Sequence, residues 1–288
     1  MRPPLPLRRS HWRRVDDRLD PERDFREITL NTGAREFPWD TLQALSFALF
    51  RTYAVPSIGE LLDRTGEFTL RVQKRYDDTG LLLEEIQEHG LSHERGRDAV
   101  RRINQMHGRH DISNDDMRYV LATFIVMPKR WMQRFGYRPL TRVEAQANVH
   151  YYLELGRHMG IKDMPTELEQ WERLLDDYER DHFAFSEGGR RVADSTLELM
   201  TTFFPNNLAP TWLMKRFAVA IMEPHLVEAF RFRRPTRFER WFFTGALRLR
   251  GRLLRVFPAR RELKFAREFG YFRTYPDGYR IDRLGTFP

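Results

Sequence analysis

Apolar positions in this chain recur at helical spacing and almost nowhere with the alternation of strands. The clearest stripe is Phe68, Val72, Tyr76, Thr79, Leu83 and Ile86, at steps of 4, 4, 3, 4 and 3; it predicts one amphipathic helix ended by His89-Gly90. Before it, Asp40 is placed to cap a helix over 41–54 that the Val55-Pro56 step stops, and Ser57 to cap a short helix over 58–63 that stops at Thr65-Gly66. After it, a helix over 98–110 carries Val100, Ile103 and His107 on one face, and 114–135 reads as a longer helix with a bend expected at Pro128. Thr141 is placed to cap a helix to Met159 closed by Gly160, and 166–169 opens another. From 197 to 230 the helical segments are divided by Pro205, Pro210 and Pro224. Only the tail from Arg273 offers a short extended piece, and no internal repeat of about 20–50 residues occurs. The pattern predicts an all-α fold.

Composition narrows the function classes. A chain of 288 residues, 41% hydrophobic and 13% aromatic, can bury a sizeable core. It has no cysteine, which excludes disulfides, thiolate metal sites and cysteine nucleophiles and suits a reducing compartment. The basic, proline-rich start leads into no apolar run, so no signal peptide is expected. The longest apolar stretches, 119–127 and 217–222, fall far short of the ~20 residues of a spanning helix, so no segment is expected to cross a bilayer. The net charge of +8 is uneven: residues 231–273 carry 14 Lys/Arg against 3 Glu. The rest of the chain is therefore slightly acidic.

Nine histidines are the first place to look for chemistry. His107 and His110 sit one helical turn apart, with Asp111 following, but zinc usually takes three protein ligands or more. With Val100 and Ile103 on its stripe, His107 should point inward, either as a satisfied core residue or as a ligand. A carboxylate-bridged di-iron bundle needs two Glu-x-x-His motifs, and only Glu179/His182 has that spacing. On the next polar cluster, Arg75, Asp78, Thr79 and Leu82 share a helix face. They read either as a surface Arg75–Asp78 pair or as the polar lining of a pocket. No phosphate loop, Gly-x-Ser-x-Gly elbow or His-Glu-x-x-His motif occurs.

The ordered set Glu67-Phe68, Arg75-Tyr76-x-Asp78-Thr79, Ile103-Asn104-Gln105-Met106-His107-Gly108-Arg109, Asn114-Asp115-Asp116-Met117-Arg118-Tyr119 and Thr123-Phe124-Ile125 resembles the mpaB and latex-clearing rubber oxygenase family. Gly136-Tyr137-Arg138-Pro139-Leu140 and Gly156-Arg157-x-Met159-Gly160-Ile161 are similar to it as well, so the likeness runs over roughly residues 50–165. The resemblance implies a globin-like helical core holding haem b and its iron through one histidine, His107, and use of O2 to cleave a carbon–carbon double bond in a lipophilic, isoprenoid-like substrate. It implies that Arg75 and Thr79 are distal polar residues and that Glu60 is the catalytic glutamate. Latex-clearing members can carry a lysine, closing the sixth coordination site, where this chain has Asp78. An open or water-bound iron is therefore expected.

The basic block interleaves arginine with aromatics, as in Arg237-Phe238-Glu239-Arg240-Trp241-Phe242-Phe243. That suits an anionic membrane surface, a nucleic-acid groove or a solvated face packed on the core. Membrane contact ranks above nucleic acid, because a lipophilic substrate would arrive from lipid. The expected organisation is an N-terminal arm over 1–36, a single helical catalytic domain over 37–230 and a basic extension over 231–288. The expected function is a haem-dependent oxygenase in the cytoplasm, peripheral to a membrane. The alternative is a non-catalytic helical module that binds anionic lipid or nucleic acid.

Overall fold

A computed structural model describes residues 6–286, and these form fourteen α-helices and no sheet. The order is α1 (His11–Asp16), α2 (Phe25–Leu30), a π-helical turn (Asn31–Glu36), α3 (Pro38–Tyr53), α4 (Pro56–Arg64), α5 (Glu67–Leu70), α6 (Val72–His89) and α7 (Glu94–His107). Then come α8 (Asn114–Phe135), α9 (Arg142–His158), α10 (Leu168–His182), α11 (Glu187–Thr201), α12 (Thr211–Ile221), α13 (Pro224–Ala229) and α14 (Arg237–Leu253). The expected all-α class is what the chain adopts.

The longest helix organises the rest. Ser113 caps α8 by accepting from the Asp116 N–H at 3.0 Å, and Asp115 and Asp116 complement the positive end of the helix dipole. Its first half, with Tyr119, Leu121, Ala122, Ile125 and Val126, is buried in a core shared with α6, α7, α9 and α10. Its second half, with Trp131, Met132 and Phe135, is buried in a core shared with α3, α11, α12 and α14. Pro128 lies within α8 without ending it; Asn148 of α9 donates to the Ile125 carbonyl at 3.0 Å in the turn that the proline loosens. At the start of α9, Thr141 and Glu144 form a reciprocal capping box.

The expected N-terminal arm begins with five residues outside the described ones, and the remainder is anchored. Ile28 of α2 is fully buried where α2 packs on α9, and Asn31 Nδ2 donates to buried Asp16 at 2.7 Å. The C-terminal segment is also built in. After α14 it returns across α6 and α7 as short 3-10 turns instead of the extended piece expected there, with Tyr271 and Leu284 buried. Tyr275 donates to Asp78 at 2.5 Å, Tyr279 to Glu85 at 2.6 Å, and Arg102 Nε to the Leu284 carbonyl at 2.7 Å. Among the described residues no helix is long and apolar enough to cross a membrane.

Where α4 crosses α11, the two backbones touch through glycine. A Cβ on Gly59 would lie 2.5 Å from the Tyr53 carbonyl oxygen and 2.7 Å from the Gly189 Cα, closer than any side chain fits. Gly59→Ala must therefore push α4 away from α11. We expect a loss of about 1–3 kcal/mol in urea denaturation, together with displacement of Ile58, Leu61 and Leu62, whose role follows.

Candidate active site

His107 is the last residue of α7, on the stripe that buries Ala99, Val100 and Ile103. Its imidazole lies in the wall of a cavity with about 1580 Å³ of atom-free space, its mouth included. The walls come from α3 (Leu49, Tyr53), α4 (Ile58, Leu61, Leu62), α6, α7 and α8 (Met117, Val120, Phe124) and are mostly apolar. His107 Nδ1 is sealed from solvent and has no hydrogen-bond partner. Burial pushes the imidazole down to about 4, and the charges of Arg75 and His110 add to the effect. At neutral pH the ring is therefore uncharged, with a lone pair available.

A pH dependence follows. The unfolded histidine titrates near 6.5 and the folded one near 4, so between these values the unfolded chain takes up a proton that the folded protein refuses. The His107 contribution to the stability of the cofactor-free protein should fall as pH is lowered from 6.5 towards 4. Urea titrations across that window check this, with His107→Phe expected to flatten the slope.

Arg75 and Thr79 of α6 line the same cavity. They are tied together: the Arg75 guanidinium donates to Thr79 Oγ1, which in turn donates to the Arg75 carbonyl at 2.9 Å. The guanidinium also lies 5.0 Å above the Phe68 ring, and burial lowers its pKa from the usual arginine value. The surface Arg75–Asp78 pair is thus not formed. Asp78 is buried, accepts from Lys74 at 2.7 Å and from Tyr275 at 2.5 Å, and does not line the cavity. Side chains at positions 75 and 79 face the cavity while position 78, a third of a turn away, faces the C-terminal segment.

Glu60 lies apart. It accepts from the Gly188 N–H at 2.9 Å in the first turn of α11, where a carboxylate meets the free N–H groups of the helix, and it does not line the cavity. The carboxylates that do line it are Asp111 and Asp116. Asp116 is buried and accepts from Tyr178 OH at 2.8 Å and Ser57 Oγ at 3.0 Å. Sequence reasoning singled out neither aspartate as a site residue, although Asp116 adjoins the cavity-facing run Met117, Val120, Leu121 and Phe124.

A second cavity, with about 1250 Å³ of atom-free space, lies on the other side of the same wall. Leu49, Thr79, Leu83 and Phe124 line both cavities. Its interior is largely aliphatic and aromatic, with Leu42, Leu45, Met132, Leu140, Phe265 and Phe272, while Glu84, Gln87 and Lys264 supply polar groups. Burial raises Glu84 to about 7, against the opposing pull of Arg267.

A family model described as "ER-bound oxygenase mpaB/B'/Rubber oxygenase, catalytic domain" matches residues 41–255. The chain belongs to this oxygenase family. Among its relatives are ER-bound oxygenase mpaB' of Penicillium brevicompactum, 31% identical over 219 residues, and ER-bound oxygenase mpaB of Penicillium roqueforti (strain FM164), 29% identical over 221 residues. Each match covers 70% of this chain, and respectively 51% and 74% of the relative. ER-bound oxygenase mpaB of Penicillium brevicompactum is 31% identical over 197 residues, 62% of this chain and 50% of the relative. The chain thus spans about half the length of the two Penicillium brevicompactum proteins.

The range matched to the oxygenase family holds His107, Arg75, Thr79, Glu60 and Asp116, and most of both cavities. Phe265 and Phe272 of the second cavity and Thr286 of the first lie beyond it. In this oxygenase-family member the aromatics of the basic block therefore do two jobs: some remain outside, as at Trp241, and some close a cavity.

The residues fit a haem. Among the described residues no group of three or more His, Cys, Asp or Glu converges to hold a bare metal ion. A porphyrin carries four of its iron's donors with it, so one neutral imidazole in the wall of a mostly apolar cavity is the kind of protein donor such a group takes.

Proposed function

We propose that this protein binds haem b through His107 and uses O2 to cleave a carbon–carbon double bond in a lipophilic, isoprenoid-like substrate. The observation that carries the reading is the uncharged, unpartnered imidazole of His107 in the same cavity as Arg75 and Thr79. Bound haem would supply the redox chemistry with O2; the remaining work falls to the chain.

His107 would hold the iron, in the cavity that Arg75 and Thr79 also line. Arg75 and Thr79 are fixed relative to each other, so their donors need no reorganisation to orient a polar group in that cavity. The apolar walls exclude water. The second cavity would take the substrate's hydrocarbon chain and bring its double bond past Leu49, Thr79, Leu83 and Phe124 towards His107. Asp116 is the carboxylate we assign to accept an allylic proton, since it faces the cavity and is oriented by Ser57 and Tyr178. Glu60 is a positioning residue in this reading: it ties α4, one wall of the cavity, to the start of α11. We place the protein on the cytoplasmic side of a membrane, a setting supported by the cysteine-free composition and by the lipophilic substrate.

The test is incubation with a prenylated alkene under 18O2. Carbonyl fragments carrying the label support the reading, and an intact alkene with haem-loaded enzyme overturns it. Within that assay, Arg75→Leu is expected to lower turnover by about 10²–10³-fold at unchanged haem content. Asp116→Asn is expected to lower it more than Glu60→Gln; the reverse order would return the proton-acceptor role to Glu60.

A further inference from the structure

The helix α14 is amphipathic twice over. One stripe, Phe243, Leu247 and Gly251, is buried against the body of the protein. On the opposite side Phe238, Trp241, Phe242, Leu249 and Leu253 are each more than half exposed, from 52% at Phe242 to 69% at Trp241. At 100° per residue these five fall within about 120° of one another and run for about 22 Å along the axis. Phe238 lies 5.9 Å from both Trp241 and Phe242, so the rings form one patch, and exposed Val256 and Phe257 extend it past the helix end. Contiguous exposed apolar surface of this kind marks a place where something else docks.

The charges identify what docks. Arg237 and Arg248 are exposed along one border of the stripe and Arg252 just inside that border, and among the described residues none of the three forms an ion pair. The centre of the stripe carries no charge. A nucleic-acid face needs arginine and stacking rings intermixed, whereas Leu249, Leu253 and Val256 cannot stack on bases. An uncharged centre of rings and aliphatics edged by unpaired arginines is the pattern of a helix lying in a lipid interface.

We propose that the outer face of α14 docks this protein on an anionic membrane, with Phe238, Trp241, Phe242, Leu249 and Leu253 in the interface and Arg237, Arg248 and Arg252 on headgroups. The proposal stands independently of the haem reading, because no side chain on this face lines the cavity of His107.

Flotation of the full chain with vesicles tests it, using phosphatidylcholine alone and phosphatidylcholine containing phosphatidylserine. Partition should be at least about tenfold stronger on the anionic vesicles and should fall with added salt. The double variant Trp241→Ser/Leu249→Ser, both sites being exposed, should melt like the wild type, keep its haem content and lose at least about tenfold in partition. Three outcomes overturn the proposal: unchanged partition of that variant, a gel shift of a nucleic-acid duplex without vesicle binding, or a dimer in light scattering that the variant splits while vesicles bind neither form.

Discussion

Replacing His107 with alanine is expected to leave a folded protein that no longer retains haem. The loss in haem affinity should exceed about a hundredfold, because removing even a residue that only orients a metal ligand costs about 10–100-fold, and here the proposed ligand itself goes. The fold should tolerate the change. His107 ends α7, its Nδ1 has no hydrogen bond to lose, and the buried stripe Ala99, Val100 and Ile103 stays in place. The variant purified from haem-replete cells should therefore be colourless while melting within a few degrees of the cofactor-free wild type. Added imidazole, small enough to enter the vacated space, should restore part of the Soret absorption. A variant that keeps a full Soret band would remove His107 from the site.

The second large effect concerns stability. Arg51 of α3 is buried, and both arms of its guanidinium contact Glu179 of α10, Nε to Oε1 and Nη2 to Oε2, each at 2.5 Å. Glu223 accepts from Arg51 Nη1 at 2.7 Å, His225 lies 2.9 Å from Glu179 Oε2, and Tyr119 OH donates to Glu179 Oε1 at 3.3 Å. The cluster joins α3, α8, α10 and α13. Burial alone would raise the Glu179 pKa, but His225 and Arg51 outweigh it and hold the carboxyl below its ordinary value. Its contribution to stability is therefore present above the unfolded carboxylate range and is lost as pH falls below that range towards the lower folded value. Glu179→Ala leaves the guanidinium buried with only part of its compensation, which costs about 3–5 kcal/mol. That corresponds to a melting temperature lower by about 10 °C. Calorimetry at neutral pH checks it, and a shift of only a degree or two would show that Glu223 alone suffices for Arg51.

The same cluster shows what a sequence can and cannot reveal. Glu179 and His182 have the spacing of a metal-binding Glu-x-x-His pair. In the fold Glu179 is buried on Arg51, 128 positions away, while His182 is exposed and stacked on Tyr178 at 3.9 Å. Helical spacing says which residues share a face and nothing about which helix that face meets. Local signals did better. The run 114–135 became a helix with those ends because its cap, acidic first turn and terminal glycine are all local. The stripe from Phe68 to Ile86 predicts one helix, but Arg71 leaves helical geometry at φ −135° and splits off α5. Phe68 nevertheless stays under Arg75, at 5.0 Å.

The inward direction of His107 was legible from Val100 and Ile103, and so was the shared face of Arg75 and Thr79. That these face one cavity was not, since its walls are drawn from α3 to α9 and from Thr286. The fate of Asp78 was hidden for the same reason, because its partner Tyr275 is 197 positions further on. In the basic block, counting charge along the chain merged two faces of α14 that the helix separates.

The central claim is that His107 holds one haem in the cavity it lines. The most direct test is titration of the wild-type cofactor-free protein with haemin, followed at the Soret band. Saturation at one haem per chain, with a spectrum that excess imidazole alters, is the predicted result. A linear, unsaturable rise like that of haemin mixed with an unrelated protein would contradict the claim.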